Sequence, residues 1–174
     1  MHPQVTGFGP FLNHQDNPSG LIASALGGKV LEVSYEAVDS FMHDCSASCF
    51  LCLGLHGKAS KPRLEVRAWN KVNREKPDVH GLIPKKDAIE EHGEDQATQI
   101  DVPELYAYLL GQGFPCSITD DPGTYLCNYI YYKALRKAEG KALLVHLPPI
   151  GEEWSKQRLT AFVQAILGWM DEQE

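Results

Sequence analysis

Cys127, His146 and Glu65 are the residues whose types and spacing allow chemistry. Cys127 lies in DDPGTYLCNYIYY, residues 120–132. The Asp-Pro-Gly-Thr run is turn chemistry that can cap a helix, which places the thiol in or near a first helical turn. There it faces unpaired backbone N–H groups and the positive end of the helix dipole, and both favour thiolate. The competing reading of an isolated cysteine is a small buried hydrophobe. His146 closes the apolar run ALLVH and precedes Leu147, Pro148 and Pro149. A helix over 123–139 followed by a strand over 142–146 makes one crossover, so a histidine at the strand's carboxyl end can reach a thiol at the helix start. That end of a parallel strand is where open α/β sheets gather functional side chains. Together the two form a nucleophile–base pair suited to acyl transfer.

A base of this kind works best when a third group fixes its tautomer. Glu65 sits in LEVRAWN, residues 64–70, between apolar neighbours. Local pattern alone favours a solvent-facing charge on an edge strand, and composition does not decide between that and the orienting role. Three other cysteines, Cys45, Cys49 and Cys52, have the C-x3-C-x2-C spacing with which radical enzymes hold an iron–sulfur cluster. Against that reading, Cys52 is embedded in the strand-like FLCLGL, and the chain is short for such a barrel. Zinc bound by these thiols with His43 and His56 is the other alternative, but the C-x2-C pair occurs once where structural sites use two. Cys116 opens a strand and reads as core.

The elements that must position these residues are short and alternate. Residues 4–6 lead into the turn TGFGPF. A helix is expected over 18–28, with Asn17 as its cap, Pro18 in its first turn and Gly27-Gly28 as its stop. Strands follow over 29–34, 49–55 and 64–69, with a helix over 36–44 between the first two. Residues 70–101 are polar and aperiodic, a long surface excursion. Regularity returns with a helix over 102–111, a strand over 116–119, the Cys127 helix, the His146 strand and an amphipathic helix over 155–170. In that last helix Leu159, Phe162, Val163, Ile166, Leu167 and Met170 share a face. Strands alternating with helices predict one three-layer α/β/α domain over residues 1–174, with a mostly parallel twisted sheet.

The formal charge of −7 argues against nucleic acid as a partner, since phosphate binding needs a basic face. No apolar run is long enough for a bilayer, so no membrane partner is expected. The start MHPQVTGFGPF lacks a basic segment followed by a long apolar stretch, so no secretory signal is read and a cytoplasmic location follows. Five cysteines without such a signal point to a reducing compartment.

Four separated motifs then give a resemblance. VTGFGPF (5–11) followed by NPS (17–19) resembles the opening V-T-G-F-x-P-F and N-P-S of the pyroglutamyl peptidase I (pyrrolidone-carboxylate peptidase) family. Glu65, Ala68 and Asn70 match its E-x-x-A-x-N motif, and Gly123-Thr124-Tyr125-Leu126-Cys127-Asn128 matches its A-G-[TS]-[FY]-[VL]-C-N motif. Val145-His146-Leu147-Pro148 matches F-[IL]-H-[IVL]-P. The resemblance implies a cysteine peptidase that removes N-terminal pyroglutamyl residues from peptides, with Cys127, His146 and Glu65 as its triad and neither metal nor organic cofactor. It also implies that Phe8 and Phe11 wall the lactam ring, with Tyr125 and Leu126 on the far side and Asn17 and Leu55 nearby. A homo-oligomer is a further implication.

The departures are specific. Gly54-Leu55-His56-Gly57-Lys58 stands where the family often has G-Q-x-G-G. An arginine that many members carry falls at Glu75, beside Arg74, and Asp121-Pro122 replaces small residues. Material is also missing before Glu65 and between Cys127 and His146. These differences motivate two alternatives: a same-fold cysteine hydrolase with a drifted acyl or cyclic amide substrate, and a catalytically inactive binding homologue.

Overall fold

The structure, a computed structural model, describes residues 2–173. Its elements run β1 (Gln4–Phe8), α1 (Pro18–Ala25), β2 (Lys29–Leu31), α2 (Tyr35–Asp44), β3 (Phe50–Leu55), β4 (Arg63–Glu65), β5 (Arg67–Ala68), β6 (Gln96–Ala97), α3 (Val102–Gly111), β7 (Ser117–Thr119), α4 (Leu126–Lys137), β8 (Ala142–Leu147) and α5 (Lys156–Glu172). Six strands form one sheet in the order β2-β1-β3-β8-β4-β7. The first four in that order are parallel; β4 pairs antiparallel with β8, and β7 follows β4 in parallel.

Strand alternation sorts the core into two layers, because successive side chains leave a strand on opposite faces. Leu51 and Leu53 of β3 and Leu143, Val145 and Leu147 of β8 pack with α1, α3 and α5. Phe50, Cys52, Ala142 and Leu144 pack on the other face with α2 and α4. This is the expected α/β/α sandwich with a mostly parallel sheet. Among the described residues no helix is long and apolar enough to cross a membrane.

Several expected boundaries move. The strand expected over 64–69 is two strands in two sheets, because Val66 turns its N–H to Thr119 O and its carbonyl to Thr98 N. The strand over 29–34 ends at Leu31, since Ser34 is taken as the N-cap of α2, its hydroxyl accepting from Ala37 N. The Cys127 helix begins at Leu126 rather than Gly123, whose φ of 75° places it in a turn. The excursion after β5 is tied down by polar side chains. Asn70 donates to the Glu90 and Gly93 carbonyls and accepts from Glu90 N. Asp78, buried, accepts from the backbone of Tyr35, His80 and Leu82.

Gly7 explains the opening turn. A Cβ there would stand 2.0 Å from the Ser19 carbonyl oxygen, so only glycine lets β1 lie this close to α1. The contact sets Phe8, at the end of β1, beside the first turn of α1, where its N–H donates to Ser19 Oγ.

Candidate active site

Antiparallel pairing of β4 with β8 brings the carboxylate to the imidazole. Arg63 lies opposite His146 and Glu65 opposite Leu144, so Glu65 and His146 are diagonal neighbours on one face of the sheet. Glu65 Oε1 is 2.9 Å from His146 Nδ1, and its other oxygen accepts from Thr119 Oγ1. Glu65 is fully buried on a strand flanked by β8 and β7. The solvent-facing edge charge that local pattern favoured is therefore wrong, because the pairing that buries Glu65 comes from a strand far along the chain.

With Nδ1 facing Glu65, Nε2 is the nitrogen left for the Cys127 thiol. Gly54 lies across the β3–β8 ladder from His146. A Cβ on Gly54 would come within 2.5 Å of Cys127 Sγ and 3.2 Å of His146 Cδ2, so the missing side chain is the space where the two groups meet. Burial acts first on His146 and disfavours its charge. The hydrogen bonds and negative charges of Cys127 and Glu65 outweigh burial and raise its pKa from 6.5 to about 9. The imidazolium is the favoured form at neutral pH.

The helix that carries Cys127 is unlike the others. The N-cap side chains of α1, α2, α3 and α5 (Asn17, Ser34, Asp101 and Ser155) each accept a first-turn N–H. The N-cap of α4 is Tyr125, which makes no such bond. Asp121, expected to help cap this helix, instead accepts from Gly123 N and Trp69 Nε1. The first-turn N–H groups of α4 thus stay available beside the thiol. Next to Cys127, the fully buried Asn128 accepts from Trp69 N and donates to Trp69 O, stapling the chain after β5 to the helix.

The remaining thiols differ in kind. Burial pushes Cys52 up to about 12 and Cys116 up to about 11, so both stay protonated. All five cysteines are free. Among the described residues no group of three or more His, Cys, Asp or Glu side chains is placed to hold a metal ion. Cys52 sits inside β3, buried in the layer between the sheet and α2 and α4, and Cys45 is the C-cap of α2.

A cavity of about 170 Å³ opens beside Cys127, and Phe8, Phe11, Asn17, Leu55, Tyr125 and Leu126 all line it. Phe11 and Tyr125 face one another at 5.5 Å between centroids. Asn17 spends its polar atoms on the turn: Oδ1 accepts from Ser19 N and Oγ, and Nδ2 donates to Gly9 O. Arg74 does not reach the cavity; it is half-exposed and pairs with Asp87 at 3.1 Å.

Two residues at the site escaped sequence reasoning in this role. Lys76 lines the cavity with its ammonium over the faces of both Phe11 and Tyr125. His56 packs edge-on against His146, 5.7 Å between centroids, and its Nε2 accepts from Arg63 at 3.4 Å. Burial, then Arg63 and His146, lower the pKa of His56, so it adds no second positive charge next to the base.

A sequence model of the family described as pyroglutamyl peptidase matches residues 1–158. Pyroglutamyl-peptidase 1 of Rattus norvegicus is 26% identical over 191 residues, covering 98% of this chain and 91% of the rat protein. The pyrrolidone-carboxylate peptidase of Thermococcus litoralis is 30% identical over 164 residues, covering 83% of this chain and 74% of its own. Among solved structures, pyrrolidone carboxyl peptidase from Pyrococcus furiosus superposes with a TM-score of 0.88 at 22% identity, over 99% of both chains.

Proposed function

The chain belongs to the pyroglutamyl peptidase family, and on that premise we propose that it removes N-terminal pyroglutamyl residues from peptides as a cysteine peptidase with Cys127, His146 and Glu65 as its triad. The observation that carries this reading is the buried Glu65–His146 hydrogen bond with the Cys127 thiol beside it, at a cavity with aromatic walls.

The geometry supports a definite sequence of steps. Cys127 Sγ, as thiolate, forms a bond to the acyl carbon of the pyroglutamyl group, and the carbonyl electron pair moves onto oxygen. The uncapped first-turn N–H groups of α4 are placed to hold that oxyanion, a role typically worth about 3–4 kcal/mol per donor. As the C–N bond breaks, the proton on His146 Nε2 passes to the leaving amine. Water then attacks the thioester while the now neutral His146 takes its proton, and the thiolate leaves. Throughout, Glu65 holds Nδ1–H and keeps Nε2 directed at the reacting atoms. Phe8, Phe11, Tyr125 and Leu126 would enclose the flat, neutral ring, which calls for apolar walls and few polar contacts. Five free thiols support a reducing, cytoplasmic setting for such a nucleophile.

The test is release of a fluorescent amine from a pyroglutamyl amide by wild type and by Cys127→Ser, with the prolyl amide alongside. The expected result is turnover of the pyroglutamyl amide alone, lowered by roughly 10⁴-fold or more in the variant. A folded wild type that releases nothing would sink the proposal. Equal turnover of both amides would assign the site to a less selective acyl hydrolase.

A further inference from the structure

The cavity holds a cation that the aromatic walls alone do not call for. The Lys76 ammonium lies 4.6 Å from the centroid of Phe11 and 4.3 Å from that of Tyr125. The backbone delivers it there: Asn73 Oδ1 accepts from the N–H groups of Glu75 and Lys76, turning the chain inward ahead of the buried Asp78. Among the described residues no carboxylate stands within ion-pair distance of this ammonium. Burial lowers its pKa, and the charge it feels in return is that of Cys127. Two ring faces offset part of the lost hydration, but they take up none of its three N–H donors. A cation held this way at the wall of a ligand cavity is poised for an oxygen acceptor on a molecule bound there.

We propose that Lys76 is a specificity-determining residue, its ammonium donating to the lactam carbonyl oxygen of a pyroglutamyl ring and repelling the charged ring nitrogen of an N-terminal prolyl residue. This rests on the function proposed above. The two rings differ in the respects an ammonium senses. Pyroglutamyl is neutral and carries an extra carbonyl oxygen; N-terminal prolyl lacks that oxygen and carries a positive charge at neutral pH. Selection therefore comes from an attraction and a repulsion placed on one atom. The aromatic walls supply shape, which both rings satisfy.

The experiment compares wild type, Lys76→Met and Lys76→Arg on pyroglutamyl and prolyl amides, with KM and kcat determined separately. Methionine keeps an unbranched apolar stem against Phe11 and Tyr125 and removes the donor. Its expected effect is a fall of about tenfold or more in kcat/KM for the pyroglutamyl amide, most of it in KM. Prolyl turnover should be unchanged or higher, and arginine should restore most of the discrimination. If Lys76→Met leaves the pyroglutamyl-to-prolyl ratio intact while wild type remains active, the assignment of Lys76 is overturned and the peptidase reading stands. If wild type itself is inert on the pyroglutamyl amide, the peptidase reading fails and this inference falls with it. A thermal melt of each variant separates loss of fold from loss of selectivity.

Discussion

Glu65 and His146 are 0% and 4% exposed, while Leu12, on the rim of the cavity they serve, is 68% exposed. The buried half of the site is fixed by the sheet. Glu65 meets His146 and Thr119, its backbone carbonyl accepts from Tyr131 Oη at 2.8 Å, and Gly54 leaves room for Cys127. The outer half is built on the turn after β1 and on the excursion after β5, where Lys76 is held by ring faces and Tyr125 by one hydrogen bond to the Pro77 carbonyl. Low dielectric makes the inner contacts strong and their loss costly. The outer contacts are weaker individually and sit on loops, where sequence can change without disturbing the sheet. On the proposed function, the bond-breaking groups belong to the core, and much of ring selection belongs to the loops.

That contrast breaks most sharply at Glu65. Glu65→Gln keeps the shape but loses the charge that steadies the imidazolium, and kcat should fall about 10³–10⁴-fold in a folded protein. Wild-type activity in this variant would mean that Glu65 only fills space. Gly54→Ala comes next. Its Cβ would stand 2.5 Å from Cys127 Sγ, so the thiol must move. A displacement near 1 Å predicts a loss of about a hundredfold in turnover, checked against an unchanged melting temperature. The smallest effect belongs to the rim. Leu12→Ser should change stability by no more than about 0.5 kcal/mol, measured by denaturant titration.

The same division governs what the sequence made legible. Cys127 and His146 could be found because turn residues and an apolar strand mark their positions locally, and the crossover joining them is short. The TGFGPF turn was readable too, since Gly7 answers a steric demand within its own neighbourhood. Glu65 was legible only through the family motif. Its role depends on β4 entering antiparallel beside β8, a pairing across 81 residues that no periodicity encodes. Lys76 lies in the aperiodic stretch between β5 and β6. Asn73 and Asp78 shape the turns there, and the direction in which they aim the lysine is set by α2 and the aromatic walls, none of which the local pattern reveals. The split of the strand expected over 64–69 has the same origin, because the partners of Val66 come from distant residues.

The inner half of the account rests on which influence wins at His146, and titration of its ring by NMR tests that directly. Its proton is held more tightly in the folded state, from 6.5 up to about 9. The stability this confers is complete below about 6.5 and is lost as pH rises through about 9. The account predicts a wild-type midpoint near 9, moving down in Glu65→Gln and in Cys127→Ala as each partner is removed. A wild-type midpoint below 6.5, insensitive to both substitutions, would mean that burial prevails over the two partners, and it would contradict the wired triad.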